Sequence, residues 1–147
     1  MTIDRATPPL ASLYQELILR HHRHPRNRGE LEGAHRDVHM RNPTCGDEIR
    51  LQLRLDDEGR IADVRFTGEG CSISQASVSM LTQLVAGKNR AEVQTLAARF
   101  TEMMHGDTEA AGDRSLGDLR ALAGVSRFPV RVKCALLGWE AVQKALE

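Results

Sequence analysis

The sequence predicts an α+β domain: a small antiparallel three-stranded sheet with helices packed on one of its faces. Three observations point there. Apolar and polar residues alternate through Ile49, Leu51, Leu53 and Leu55, and again through Ala62, Val64 and Phe66, with the polar connection Asp56-Asp57-Glu58-Gly59 between them. After Gly68-Glu69-Gly70 the apolar period changes from two residues to about 3.6. Strand-like segments come first and most helical ones afterwards, which is the order of an α+β chain rather than an alternating α/β one.

Residues 1–9 read as a loose N-terminal tail. Ser12 to His24 reads as the first helix, with Ser12 and Gln15 as a capping box and Leu13, Tyr14, Leu17 and Ile18 on one face. Pro25 restricts the residue before it and stops the helix, and Pro25-Arg26-Asn27-Arg28-Gly29 is a turn. Val38 and Met40 alternate with Asp37 and His39 and supply the remaining strand, in a sheet with one wet face. Ile73, Ala76, Met80, Leu81, Leu84 and Val85 form a helical stripe that Gly87 ends. Asn89 with Glu92 caps the next helix, whose face is Val93, Leu96, Ala97, Phe100 and Met104. His105 to Ser115 reads as a loop, Leu116 to Leu122 as a short helix, and Ser126 to Leu146 as the last helix. Pro129 falls in the first turn of that last helix, where proline is tolerated. The whole, residues 1–147, is expected to be one domain.

Composition removes several function classes. Lys plus Arg and Asp plus Glu both number 20, so the chain has no basic footprint for nucleic acid, and 3% aromatic residues leave no base-stacking platform. No apolar run reaches the roughly 18 residues of a membrane span. Met1 to Leu10 has no apolar stretch of the signal-peptide kind, so the expected compartment is the cytoplasm, where thiols stay reduced and serve metals or catalysis.

The cysteines carry the chemistry. Cys45, Cys71 and Cys134 are the only three, and an odd number argues against a disulfide framework. Cys45 and Asp47 flank Gly46 in a loop between two strands, Cys71 stands where a Gly-rich loop enters a helix, and Cys134 lies about one turn into the last helix. A helix start stabilises a thiolate. Three thiolates and a carboxylate complete a tetrahedral zinc set, and none of the cysteines forms a C-x-x-C pair, so the folded domain assembles the site. One hard oxygen among soft ligands suits ligand exchange better than a closed structural shell. Zinc with these four carries a formal charge of about −2, which Arg127, Arg131 and Lys133 can offset. A thiolate released from zinc is a nucleophile toward persulfide or disulfide sulfur.

Three segments resemble one family. Arg41-Asn42-Pro43-Thr44-Cys45-Gly46-Asp47, Gly68-Glu69-Gly70-Cys71-Ser72-Ile73-Ser74 and Phe128-Pro129-Val130-Arg131-Val132-Lys133-Cys134-Ala135 resemble the three cysteine segments of the IscU/NifU-N-like family of iron–sulfur cluster biogenesis. The likeness runs from about Leu13 to Leu146. It is nearer the SufU branch than the IscU scaffolds, because Lys133 stands where the scaffolds carry a histidine and residues 104–122 resemble the SufU insertion. The resemblance implies a zinc-dependent sulfurtransferase with Cys45, Asp47, Cys71 and Cys134 as metal ligands and Cys45 as sulfur acceptor. It implies a SufS-type, pyridoxal-phosphate-dependent cysteine desulfurase as partner, whose histidine replaces Cys45 on zinc. A downstream iron–sulfur scaffold or thiol is the implied acceptor of the sulfur.

Two other functions fit the same residues: a scaffold that builds an iron–sulfur cluster on these four ligands, and a structural zinc domain that only binds a partner. Arg131 is a candidate to steady Asp47 or the departing thiolate, against a plain solvent-facing arginine. His21, His22 and His24 read as solvated residues favouring a helix C-terminus, with a desulfurase-docking surface as the rival. His35, His39 and His105 are expected at the surface, and Met103 and Met104 in the core. Ser72, Ser74, Ser77 and Ser79 are expected to cap or pack the helix after Cys71.

Overall fold

A computed structural model describes residues 10–147. The tail expected at residues 1–9 lies outside the described residues. The first helix, α1, spans Leu10–Arg23, so Ser12 lies inside it and not at an N-cap. Its last turn carries Arg20, His21, His22 and Arg23 against the carbonyl end of the helix dipole, and Pro25 follows.

Three strands form the expected antiparallel sheet in the order β1-β2-β3: β1 Arg36–Asn42, β2 Asp47–Leu55 and β3 Ile61–Glu69. Ile49, Leu51 and Leu53 point inward from β2 and are fully buried. On β3 the expected alternation breaks. Arg54 pairs with Asp63 but Leu55 pairs with Ile61, so Ala62 is an extra residue in a bulge. The bulge flips the phase: Ile61 is buried and Ala62 is exposed. Residues 27–29 run along the outer edge of β3, where Phe66 N–H donates to Asn27 O and Gly29 N–H to Phe66 O.

The helices that follow are α2 (Ser72–Val85), α3 (Arg90–Met104), a short α4 (Thr108–Ala111), a 3₁₀ segment (Arg114–Arg127) and α5 (Pro129–Ala145). α5 packs on β1 and β2, and α2 packs on β3 with α1 and α5 against its sides. α2 is therefore buried nearly all round, not along one stripe. Its buried hydroxyls find partners: Ser77 Oγ donates to Ala135 O at 2.7 Å and Thr82 Oγ1 to Ser79 O at 2.7 Å. Gly138 lets α5 approach closely, since a Cβ there would stand 2.7 Å from Leu81 Cδ2.

The Asn89–Glu92 capping box forms as expected, and Met103 and Met104 are buried. The stretch 105–115 is not a plain loop. Asp107 caps α4 by accepting from Glu109 and Ala110 N–H, and Asp113 caps the 3₁₀ segment by accepting from Ser115 N–H. Gly117 breaks that segment at φ 54°, ψ −131°, backbone that disfavours a side chain. Ala110, Leu116, Leu119 and Leu122 bring the region into the core.

His21 also departs from expectation. It is buried, not solvated, with Nδ1 2.7 Å from Ser79 Oγ and Nε2 2.9 Å from Asp118 Oδ2. It bridges α1, α2 and the 3₁₀ segment. His22 and His24 are exposed, as are His35, His39 and His105. No helix among the described residues is long and apolar enough to cross a membrane.

Asp113 sets an acid limit on this arrangement. The Ser115 hydroxyl and backbone N–H, with Arg99, hold its carboxyl down from 3.8 to about 2. A depressed folded-state pKa contributes stability above the unfolded value and loses it as pH falls through the folded one. Asp113→Ala should lower Tm by a few degrees at pH 7. The difference from the parent should shrink between pH 3.8 and 2 and vanish below, as read by thermal melts across that range.

Candidate metal centre

Three separate stretches converge at one end of the sheet: the β1–β2 connection, the entry to α2 and the first turns of α5. In the connection, Asn42 pairs with Asp47 and residues 43–46 turn the chain. Cys45 N–H donates to Asn42 O at 3.2 Å and Thr44 N–H to Asn42 Oδ1 at 3.2 Å. Gly46 sits at φ +70°, which a glycine adopts without strain, and it turns its two neighbours toward one region.

Asp47 is 2% exposed, and Oδ1 accepts the Cys71 N–H at 2.8 Å. That contact requires Gly70: its φ is +145°, and a Cβ there would stand 2.9 Å from Asp47 Cα. Cys71 occupies the N-cap of α2, but its side chain makes no capping hydrogen bond. The sulfur is left facing Asp47 Oδ2 at 3.7 Å. Cys134 is fully buried in α5, with Sγ 3.6 Å from Val130 O. Cys45 Sγ stands 3.8 Å from the same carbonyl.

One donor atom each from Cys45, Asp47 and Cys134 lies within 4.8 Å of the others. Cys71 falls outside that mutual set, although it neighbours both Asp47 and Cys134. Burial pushes the Cys134 thiol up, and Asp47, Cys45 and Cys71 beside it push it further. A cation would reverse that balance and release protons as it bound.

The donor set fits zinc. Asp47 is buried and has no basic partner among the described residues, a situation that calls for a cation. Tetrahedral zinc with bonds to sulfur of about 2.3 Å sets its ligands roughly 3.8 Å apart, which the 4.8 Å span of Cys45, Asp47 and Cys134 and the 3.7 Å between Cys71 Sγ and Asp47 Oδ2 can accommodate. Arg127, Arg131 and Lys133 are exposed. Arg131 makes no hydrogen bond to Asp47 or to a thiol among the described residues. Instead it lines an apolar cleft of about 660 Å³ with Tyr14, Ile18, Ile73, Val125 and Phe128. Phe128 and Val130, 60% and 58% exposed, form an apolar rim beside the thiols. Sequence reasoning did not single out this rim, the cleft or Gly70. The exposed apolar residues just ahead of Cys134 were the available signal.

The NifU-like N-terminal domain family matches residues 13–147. The chain belongs to this family. Among curated relatives, the zinc-dependent sulfurtransferase SufU of Bacillus subtilis (strain 168) is 46% identical over 93% of this chain and 91% of its own length. The iron–sulfur cluster assembly scaffold protein IscU of Streptococcus pyogenes serotype M1 is 42% identical over 97% of this chain and 87% of its own. Among solved structures, a putative iron–sulfur cluster assembly scaffold protein for the SUF system from Fervidobacterium islandicum AW-1 superposes with a TM-score of 0.81. It is 32% identical and covers 95% of this chain and 100% of its own. The family's architecture is the α+β arrangement described above.

Gly70 offers a direct test of how the site is built. Gly70→Ala should displace Asp47 and reduce zinc retained after gel filtration by more than half, while far-ultraviolet circular dichroism stays that of the parent. Metal content by elemental analysis checks it.

Proposed function

We propose that this protein is a zinc-dependent sulfurtransferase of the SufU type, accepting persulfide sulfur on Cys45 from a SufS-type cysteine desulfurase and relaying it toward iron–sulfur cluster assembly. The observation that carries this reading is the asymmetry of the three thiols. Cys134 is buried in α5, while Cys45 and Cys71 are both partly exposed; of these two, Cys71 is held at the start of α2 and Cys45 lies on a short hairpin connection. The 46% identical relative named as a zinc-dependent sulfurtransferase supports it.

Cys45, Asp47, Cys71 and Cys134 would hold the zinc. Bound there, zinc supplies a Lewis-acidic centre that keeps thiols deprotonated and whose ligands can exchange. The Cys45 thiolate attacks the outer sulfur of the partner's cysteine persulfide. A sulfur–sulfur bond forms at Cys45 as the partner's breaks, and the electron pair leaves on the partner's cysteine sulfur, so no external oxidant or reductant is needed. The pyridoxal phosphate belongs to the desulfurase. Arg131, exposed in the first turn of α5 and lining the apolar cleft, is proposed to stabilise charge near the thiols and not to hold Asp47. The cytoplasm is the proposed compartment, and a scaffold or thiol receives the sulfur.

A second reading, a scaffold that builds a cluster on the same ligands, is favoured by the 42% identical relative named as such a scaffold. Lys133 preceding Cys134 weighs against it.

Desulfurase turnover on cysteine, with and without the zinc-loaded, iron-free protein, separates the two. The relay predicts a rate increase of tenfold or more, with one added sulfur mapped to Cys45 by mass. Cys45→Ala should fold and bind the partner yet take up no sulfur, and strong retained transfer in that variant would overturn the role of Cys45. Asp47→Ala should abolish sulfur acceptance. No stimulation, with a cluster appearing once iron is supplied, would establish the scaffold instead.

A further inference from the structure

Asn42 is the last residue of β1, and its side chain faces two groups at once. Thr44 N–H lies 3.2 Å from its Oδ1, and the Cys45 sulfur lies 3.6 Å from its Nδ2. The orientation of the amide follows from chemistry. A backbone N–H only donates, so the carboxamide oxygen must face Thr44, and the NH₂ group is turned toward the sulfur. The turn that places Cys45 is also anchored on Asn42, through the Cys45 N–H to Asn42 O bond at 3.2 Å.

The other two sulfurs have no such neighbour among the described residues. Cys71 Sγ faces Asp47 Oδ2, and Cys134 Sγ faces Val130 O, both of which are acceptors. Cys45 also stands near Val130 O, an acceptor that suits a thiol but not a thiolate. The Asn42 amide is the donor that faces the Cys45 sulfur. Hydrogen bonds to an ionised acceptor are stronger than neutral ones.

We propose that Asn42 is a positioning residue for sulfur acceptance. Its carboxamide shapes the 42–45 turn with one end and, with the other, holds the free Cys45 sulfur, alone among the three, in place to attack. This rests on the sulfurtransferase reading and adds to it the residue that selects which cysteine receives the sulfur. The amide neither gains nor loses a proton in the transfer.

Asn42→Ser tests it, because a serine oxygen can still accept from Thr44 N–H while its short side chain withdraws the amide donor. Asn42→Asp keeps the shape and the acceptor and also lacks the donor, so agreement between the two variants separates donor loss from added charge. In zinc-loaded protein, persulfide uptake at Cys45 from the desulfurase should fall at least about fivefold in both. Zinc content and Tm should stay near those of the parent. In zinc-stripped protein, iodoacetamide alkylation resolved by cysteine should slow at Cys45, relative to Cys71 and Cys134, by a similar factor. Uptake and selectivity unchanged from the parent overturn the proposal. So does a parallel loss of zinc, Tm and selectivity, which is what a purely structural role would produce. If the parent itself takes up no sulfur, the sulfurtransferase reading fails, and the alkylation pattern alone still decides whether Asn42 governs Cys45.

Discussion

The two carboxylate oxygens of Asp47 face two different neighbours, and the end of the molecule that holds the thiols depends on that division. Oδ1 takes the N–H of Cys71 at 2.8 Å, which fastens the start of β2 to the start of α2. Oδ2 is left toward the Cys71 sulfur. A carboxylate this enclosed has lost most of its water, and one hydrogen bond from a helix N-terminus does not replace it. A cation held between Oδ2 and the neighbouring thiols would supply the rest. The glycines on both sides follow from the same contact. Gly46 turns the chain into Asp47, and Gly70 removes the side chain that would collide with it.

The way the helices pack decides how firmly each sulfur is held. α2 is surrounded by α1, α5 and β3, and its small and hydroxyl-bearing residues let those neighbours come close while Ser77 and Thr82 satisfy their own polar groups. Gly138 allows α5 to lie tight against it. Cys71 and Cys134 therefore sit on elements whose backbones have little room to shift. Cys45 sits on a short connection held by turn hydrogen bonds and one side-chain amide. A metal bound across such a set would have three donors on the body of the domain and one on a short connection between strands. That is the arrangement expected when one ligand must leave and return.

Much of this was legible from the sequence, in proportion to how local the cause was. The alternation of β2, the Asn89–Glu92 cap and the glycines around the cysteines are local signals, and the structure follows them. The failures have physical reasons. Ala62 looked inward because alternation was carried across the hairpin, but a bulge depends on pairing with Leu55 and shifts the phase by one residue. His21 looked solvated because helix position alone was considered, whereas its partners Ser79 and Asp118 are distant in the chain. The 105–115 stretch looked like a loop because it is polar, although Asp107 and Asp113 are cap residues that announced helical turns. At the site, the residue types pointed to Cys45, Asp47, Cys71 and Cys134. The sequence had no means of revealing that Cys71 stands slightly apart from the other three or that Asn42 faces only one sulfur.

The charges around the site complete the physical picture. With zinc and four anionic donors the centre would carry a formal charge of about −2, and the proposed sulfur transfer would press it against a partner whose own cysteine leaves as an anion. Two negative centres brought together repel, by about 1 kcal/mol for unit charges 4 Å apart in water and by more as water is expelled. Arg127, Arg131 and Lys133 are exposed at and just ahead of the first turns of α5, the helix that carries Cys134. The Phe128 and Val130 rim supplies apolar surface that can exclude water once a partner is seated. The chain as a whole has no net charge, so this local basic cluster is a feature of the α5 entry and not a general basicity. A transfer centre needs such an approach more than a closed structural zinc site does, because a structural site never meets a second anion.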